Sequence, residues 1–187
     1  MHSSGILTSV LAVVPLALSH PLNTRDAQDF TITSLSATFP YPYPPYGLDS
    51  VDSFVSIAVS YPDVSSTSGG TLSTTCRVDW PAGTSPGSTN WTTCGDGALQ
   101  FRLPADGWTS TTNFGVELFE TVSADGSGLD ASHILTSNPG NPSDPNAFMF
   151  CLQKGKFNPL TCTLTGPYGV SARTVVLTAT EESVRPN

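Results

Sequence analysis

Residues 51–60 read Val51-Asp52-Ser53-Phe54-Val55-Ser56-Ile57-Ala58-Val59-Ser60. From Val55 onward an apolar β-branched residue occupies every second position, with small residues between. Successive side chains of an extended chain point to opposite faces, so Val55, Ile57 and Val59 share one face. A helix would need its apolar positions three or four residues apart. The stretch is therefore a half-buried strand. The same alternation recurs along the chain, whereas sustained helical periodicity does not.

Phe30 and Ile32 alternate with Thr31 and Thr33 in an earlier strand running towards Ala37. Leu72, Thr74, Cys76 and Val78 fall on one face of a third. Leu99, Phe101 and Leu103 mark a short strand between the turn dipeptides Asp96-Gly97 and Asp106-Gly107. Phe114, Val116 and Leu118 share a face of a longer strand that reaches Val122. Residues 133–136 form a weak strand, 148–152 and 160–164 a linked pair, and 174–179 a last one rich in Val and Thr. The intervening stretches are rich in turn formers. The most distinct, Pro40-Tyr41-Pro42-Tyr43-Pro44-Pro45-Tyr46-Gly47, cannot lie inside a sheet because its prolines have no N–H to donate. About eight short strands separated by turns predict one all-β domain over residues 29–182, a compact antiparallel β-barrel or sandwich. A polar tail, 183–187, follows.

Residues 6–18 are apolar apart from Thr8 and Ser9, the length of a signal-peptide core and too short to span a bilayer. Ala17-Leu18-Ser19 offers small residues at the cleavage positions. The expectation is a signal peptide over 1–19 and a short flexible mature N-terminus over 20–28, although residues 1–5 lack Lys and Arg. The alternative is a buried N-terminal helix or strand. No second long apolar run follows, so the protein is expected to be secreted, extracellular and not anchored in a membrane. Residues 1–19 hold no charged side chain, which leaves the whole net charge of −8 in the remainder. An acidic chain repels phosphate backbones and anionic lipid, which argues against nucleic acid and membrane as partners.

Cys76, Cys94, Cys151 and Cys162 all lie beyond the expected cleavage site. An even count in an oxidising compartment predicts two disulfides, in any of three connectivities, of which the sequential one closes the shortest loops. A four-cysteine zinc site would ordinarily show a C-x-x-C pair, and none is present. Asn90-Trp91-Thr92 is a glycosylation sequon inside the first cysteine loop, making Asn90 a candidate glycan acceptor.

From Cys76 onward the chain resembles the AA1-like secreted fungal proteins typified by the major Alternaria allergen. The residues carrying the likeness are Cys76, Trp91-Thr92-Thr93-Cys94-Gly95, Phe101-Arg102-Leu103, residues 117–120, Phe150-Cys151 and Thr161-Cys162. The resemblance implies a secreted β-barrel with the sequential disulfides. It also implies no established enzymatic activity, and roles as allergens, elicitors or binders of host defence proteins and small phenolic ligands. The family's allergen links two subunits through a cysteine near its mature N-terminus. No cysteine precedes Cys76 here, so the expected state is a monomer or a non-covalent dimer.

The residues offer little for catalysis. Only His20 and His133 remain beyond Ser19, and no G-x-S-x-G elbow is present for a Ser/His/Asp triad. Glu117 and Glu120 are an odd number of positions apart, so on a strand they face opposite ways and cannot form a glycosidase pair. Residues 125–130 hint at a calcium loop but lack the full ligand pattern. One enzymatic alternative is specific. Cleavage after Ser19 would make His20 N-terminal, half of a copper-binding brace like that of polysaccharide monooxygenases, with His133 as the second ligand. The preferred expectation has no cofactor and no catalytic residue. It is an effector-like or elicitor-like protein that binds host extracellular proteins or small ligands. Tyr41, Tyr43 and Tyr46 alternate with prolines and present rigid aromatic faces at low entropic cost. Trp108, after a turn, is the tryptophan expected to be exposed, whereas Trp91 is expected to pack against the disulfide of Cys94.

Overall fold

The computed structural model describes residues 29–41, 51–66, 69–87, 89–137, 144–164 and 174–186. Two antiparallel sheets pack face to face. The first contains β1 (Asp29–Phe39), β2 (Ser53–Pro62), β3 (Thr71–Trp80), β9 (Phe150–Gln153), β10 (Leu160–Thr163) and β11 (Val175–Thr178). The second contains β4 (Thr92–Thr93), β5 (Leu99–Arg102), β6 (Trp108–Ser110), β7 (Asn113–Thr121), β8 (Gly128–Thr136) and β12 (Thr180–Glu182). The order is β3-β2-β1-β10-β9 in one sheet and β12-β8-β7-β5-β4 in the other, with β11 also on β1 and β6 also on β7. The expected choice of barrel or sandwich resolves as a sandwich: the two sheets do not close into a barrel.

The strand at 51–60 behaves as its alternation requires. Ser53, Val55, Ile57, Val59 and Tyr61 are buried, and every residue between them is partly exposed. β3 follows suit at its C-terminal end, with Cys76, Val78 and Trp80 inward. β1 does not keep one phase. Its buried residues are Phe30 and Ile32, then Leu35, Ala37 and Phe39. The shift comes from a bulge between Ile32 and Ser34, which inserts one residue and turns the second half of the strand over. The bulge also separates two pairings on the same edge. β11 pairs with Asp29 to Ile32 and β10 with Ser36 to Phe39.

Two ties join the sheets. Cys76 of β3 is bonded to Cys94 beside β4, so the sequential disulfide fastens one sheet to the other along one side. Gly95 N–H adds a bond to Thr75 O at 2.9 Å. On the other side the chain itself crosses from β11 to β12 at Ala179, which packs on the core. The second disulfide, Cys151 to Cys162, joins directly opposed residues of the β9–β10 hairpin. Near the first disulfide the buried Tyr61 hydroxyl donates to Asp96, whose backbone N–H donates to Thr74 Oγ1 at 3.1 Å.

β7 differs from its neighbours in being buried on both faces. Its core side carries Phe114, Val116, Leu118 and Glu120, and its outer side Gly115, Glu117 and Phe119, all of them buried. Loops and the C-terminal segment supply the outer cover. Three short strands, β4, β6 and β12, have too few residues for alternation to show, and β8 begins at Gly128, five residues before the weak strand read from sequence.

In the chain-entropy treatment each disulfide restricts the unfolded chain by about 3 kcal/mol. A Cys76→Ser, Cys94→Ser protein is therefore expected to lose about that much stability in urea unfolding. A non-reducing peptide map of the wild type should contain only the Cys76–Cys94 and Cys151–Cys162 cross-links.

Candidate functional site

One end of the sandwich is built from aromatic rings. Phe39, at the end of β1, lies 6.0 Å from Trp80, 6.2 Å from Trp108 and 6.3 Å from Phe114, centroid to centroid. Trp108 stacks on Phe114 at 5.6 Å and meets Trp80 edge-on at 5.5 Å. Trp80 Nε1 donates to Thr84 O at 3.2 Å and so fixes the start of the loop after β3. Trp108 is thus half-buried and committed to the core, which corrects the expectation that it stands exposed. The turn before it aims the indole inward because β6 pairs Trp108 with Phe114.

Two residues beyond Phe39 the chain leaves the core. The ring of Tyr41 meets Phe157 edge-on, with centroids 5.4 Å apart and planes at 83°. Phe157 stands 42% exposed in the β9–β10 loop, and Lys156 Nζ lies 5.4 Å from its centroid. This loop is tied down at both levels. The disulfide joins its flanking strands, and Gln153 Nε2 donates to Lys156 O at 3.2 Å and Asn158 O at 2.9 Å. Tyr41 is therefore at a rigid aromatic surface. Tyr43 and Tyr46 lie outside the described residues. Phe157 was missed in the sequence, although a single aromatic in a polar loop between disulfide-bonded strands is a readable signal.

A shallow groove of about 390 Å³ opens on the outer face of the second sheet. Its floor is flat because Gly107 and Gly115 approach each other backbone to backbone. A Cβ on Gly107 would come within 2.8 Å of Pro104 Cγ and 3.0 Å of Gly115 Cα. Asp106, Ser132, Asn146 and the exposed Ile134 stand around it. His133 is also part of the lining, but it sits opposite Val116 at a core-side position of β8. Its ring packs edge-on against Phe148 at 5.4 Å, and Nε2 is buried with no hydrogen-bond partner. Burial lowers its pKa, so the imidazole is neutral near pH 7.

The remaining candidates are placed as follows. Trp91 does not pack on the Cys76–Cys94 bridge. It lies three residues from Cys94, and an odd spacing along a strand puts it on the opposite face. There its ring contacts Phe119 at 6.1 Å, Arg102 lies 4.4 Å over it, and Nε1 donates to Pro186 O at 2.8 Å. Asn90 is exposed and accessible to a glycan. Glu117 and Glu120 face opposite ways, Glu117 towards Arg102 and Glu120 towards the core. Asp125 Oδ1 accepts from Ser127 N at 3.0 Å and Oγ at 2.8 Å, holding the β7–β8 turn, while Asp130 belongs to β8. His20 lies outside the described residues. Among the described residues no three His, Cys, Asp or Glu side chains gather as metal ligands, and no helix is long and apolar enough to cross a membrane. No family model, curated protein or solved structure matches the chain.

The pKa of His133 sets a sign. A base whose folded pKa is depressed binds protons more readily when unfolded, so its contribution to stability falls as pH drops below the unfolded value of 6.5. The His133 ring resonances should titrate with a midpoint below 6.5 by NMR. His133→Gln should flatten the part of the stability-pH curve that this ring contributes.

Proposed function

We propose that this is a secreted, effector-like or elicitor-like binding protein with no catalytic cycle, akin to the AA1-like proteins, acting by contact with a host extracellular protein. The observation that carries the reading is the Tyr41–Phe157 pair, in which a half-buried ring just beyond β1 backs an exposed one on a loop held by a disulfide. Aromatic side chains with restricted rotamers bring contact area with little loss of entropy on binding, the usual composition of an interface anchor. The groove beside Gly115 adds a place for a small ligand. The disulfides and the all-β architecture support an extracellular setting, where such staples persist.

A second reading is favoured by one observation, the neutral and unpartnered Nε2 of His133. It is the copper-dependent oxidation of polysaccharides, with His20 and His133 as ligands. Stoichiometric copper binding by a mature protein beginning at His20 would support it, and any other mature N-terminus removes it.

The main proposal is tested by capture from host extracellular fluid with wild-type protein and a Tyr41→Ala, Phe157→Ala variant. Both residues lie outside the core, so the variant should keep the wild-type melting curve. Loss of anchors of this kind should weaken the captured complex by about 30-fold or more. Equal capture by both proteins would overturn the assignment of the surface.

A further inference from the structure

The outer face of the second sheet carries a charged cluster that neither the aromatic end nor the groove uses. Arg102 of β5 donates to Glu117 of β7 through Nε at 2.6 Å and Nη2 at 3.1 Å, and both side chains are about nine-tenths buried. Asp130 of β8 sits diagonally across from Glu117, since Phe119 is its direct partner and Ser132 that of Glu117. One of its oxygens, Oδ1, is buried with no hydrogen-bond partner.

The C-terminal segment closes over this face. β12 pairs Thr180 with Asp130 and Glu182 with Gly128, which places Glu182 on the same side as the Asp130 carboxyl. Beyond it Arg185 reaches Gln100 and lies 5.9 Å over Trp91, and Pro186 O accepts the Trp91 indole N–H. Residues 180–185 remain exposed on their outer surface, so the segment is held by three ladder pairs and these few side-chain contacts.

We propose that residues 180–186 are a pH-dependent latch on the second sheet, closed while Asp130 is protonated and loosened when it ionises. The charge balance gives the reason. With Asp130 neutral, the carboxylates of Glu117 and Glu182 are matched by the guanidiniums of Arg102 and Arg185. Ionised Asp130 leaves one negative charge in excess, half-buried diagonally from Glu117 and on the face crossed by the segment that runs from β12 to Arg185 and Pro186. The other acidic group of β7, Glu120, and the imidazole of His133 face away on the core side.

Burial, then repulsion from Glu117 and Glu182, push the Asp130 pKa up to about 6, against the opposing pull of Arg102. An acid with a raised pKa in the closed state holds its proton there more tightly than in the open state. The latch is therefore strongest in acid. Opening removes Glu182 and part of the burial but leaves Glu117 beside Asp130, so closure weakens as pH approaches about 6 and levels off above it. The free surface uncovered is that of Trp91 and Gln100.

Hydrogen exchange of the full chain, read by mass spectrometry on peptides covering 180–186, tests this directly. After correction for the intrinsic exchange rate, the opening equilibrium of this segment should rise about ten-fold between pH 4.5 and 7, while β2 stays protected. Asp130→Asn, neutral at every pH, should abolish the step and stay closed. Glu182→Gln alters only an exposed side chain, so it serves should Asp130→Asn fail to fold, and should reduce the step. Equal protection of the wild-type segment at both pH values, or an undiminished step in these variants, overturns the latch.

Discussion

β7 is a central strand with no solvent side, and that constraint organises most of the molecule. On its core face apolar residues meet the other sheet, as in any sandwich. On its outer face Gly115, Glu117 and Phe119 follow one another, and each requires a different cover. Gly115 admits the backbone of Gly107 and so draws the turn at Ala105–Gly107 onto the sheet. Phe119 is covered by Trp91. Glu117 cannot be buried alone, because an uncompensated carboxylate out of water costs several kcal/mol, and Arg102 meets it with two hydrogen bonds. Breaking such a pair from one side typically costs 3–5 kcal/mol, much more than an exposed ion pair such as Arg77 with Asp79 contributes.

What could be read from the residues follows from the range over which each interaction acts. Alternation is local, so β2 and the end of β3 were legible, as were the turns between them. The bulge in β1 was not. Phe30, Ile32, Leu35 and Ala37 contain a change of phase that becomes visible only when β2 supplies the register. The sequential disulfides agree with the expectation, but their different roles do not follow from spacing. One joins two sheets and the other two neighbouring strands.

The candidate site shows the same division. Tyr41 was legible as a surface aromatic because prolines keep its segment out of the sheet, yet its partner Phe157 comes from a hairpin more than a hundred residues later. Trp108 misled because the turn before it suggests exposure, whereas pairing with Phe114 in the β6–β7 hairpin puts the ring on the core face, where Phe39 and Trp80 from the other sheet pack against it. The facing of Glu117 and Glu120 was a parity argument and needed no partner. The meeting of Glu117 with Asp130 depends on the register of the β7–β8 hairpin, which a count along one strand cannot supply.

The position of β1 has a further consequence for how the protein is made. It is the first described strand to leave the ribosome, yet two of its neighbours, β10 and β11, are among the last, with Asp29 opposite Thr178. The first sheet cannot be completed on a partly synthesised chain. Assembly must wait for nearly the whole polypeptide, and such distant pairings place β-rich domains among the slower folders, in roughly milliseconds to seconds. During that wait β1, β2 and β3 can pair with one another, but the edge of β1 that β10 and β11 later cover stays open.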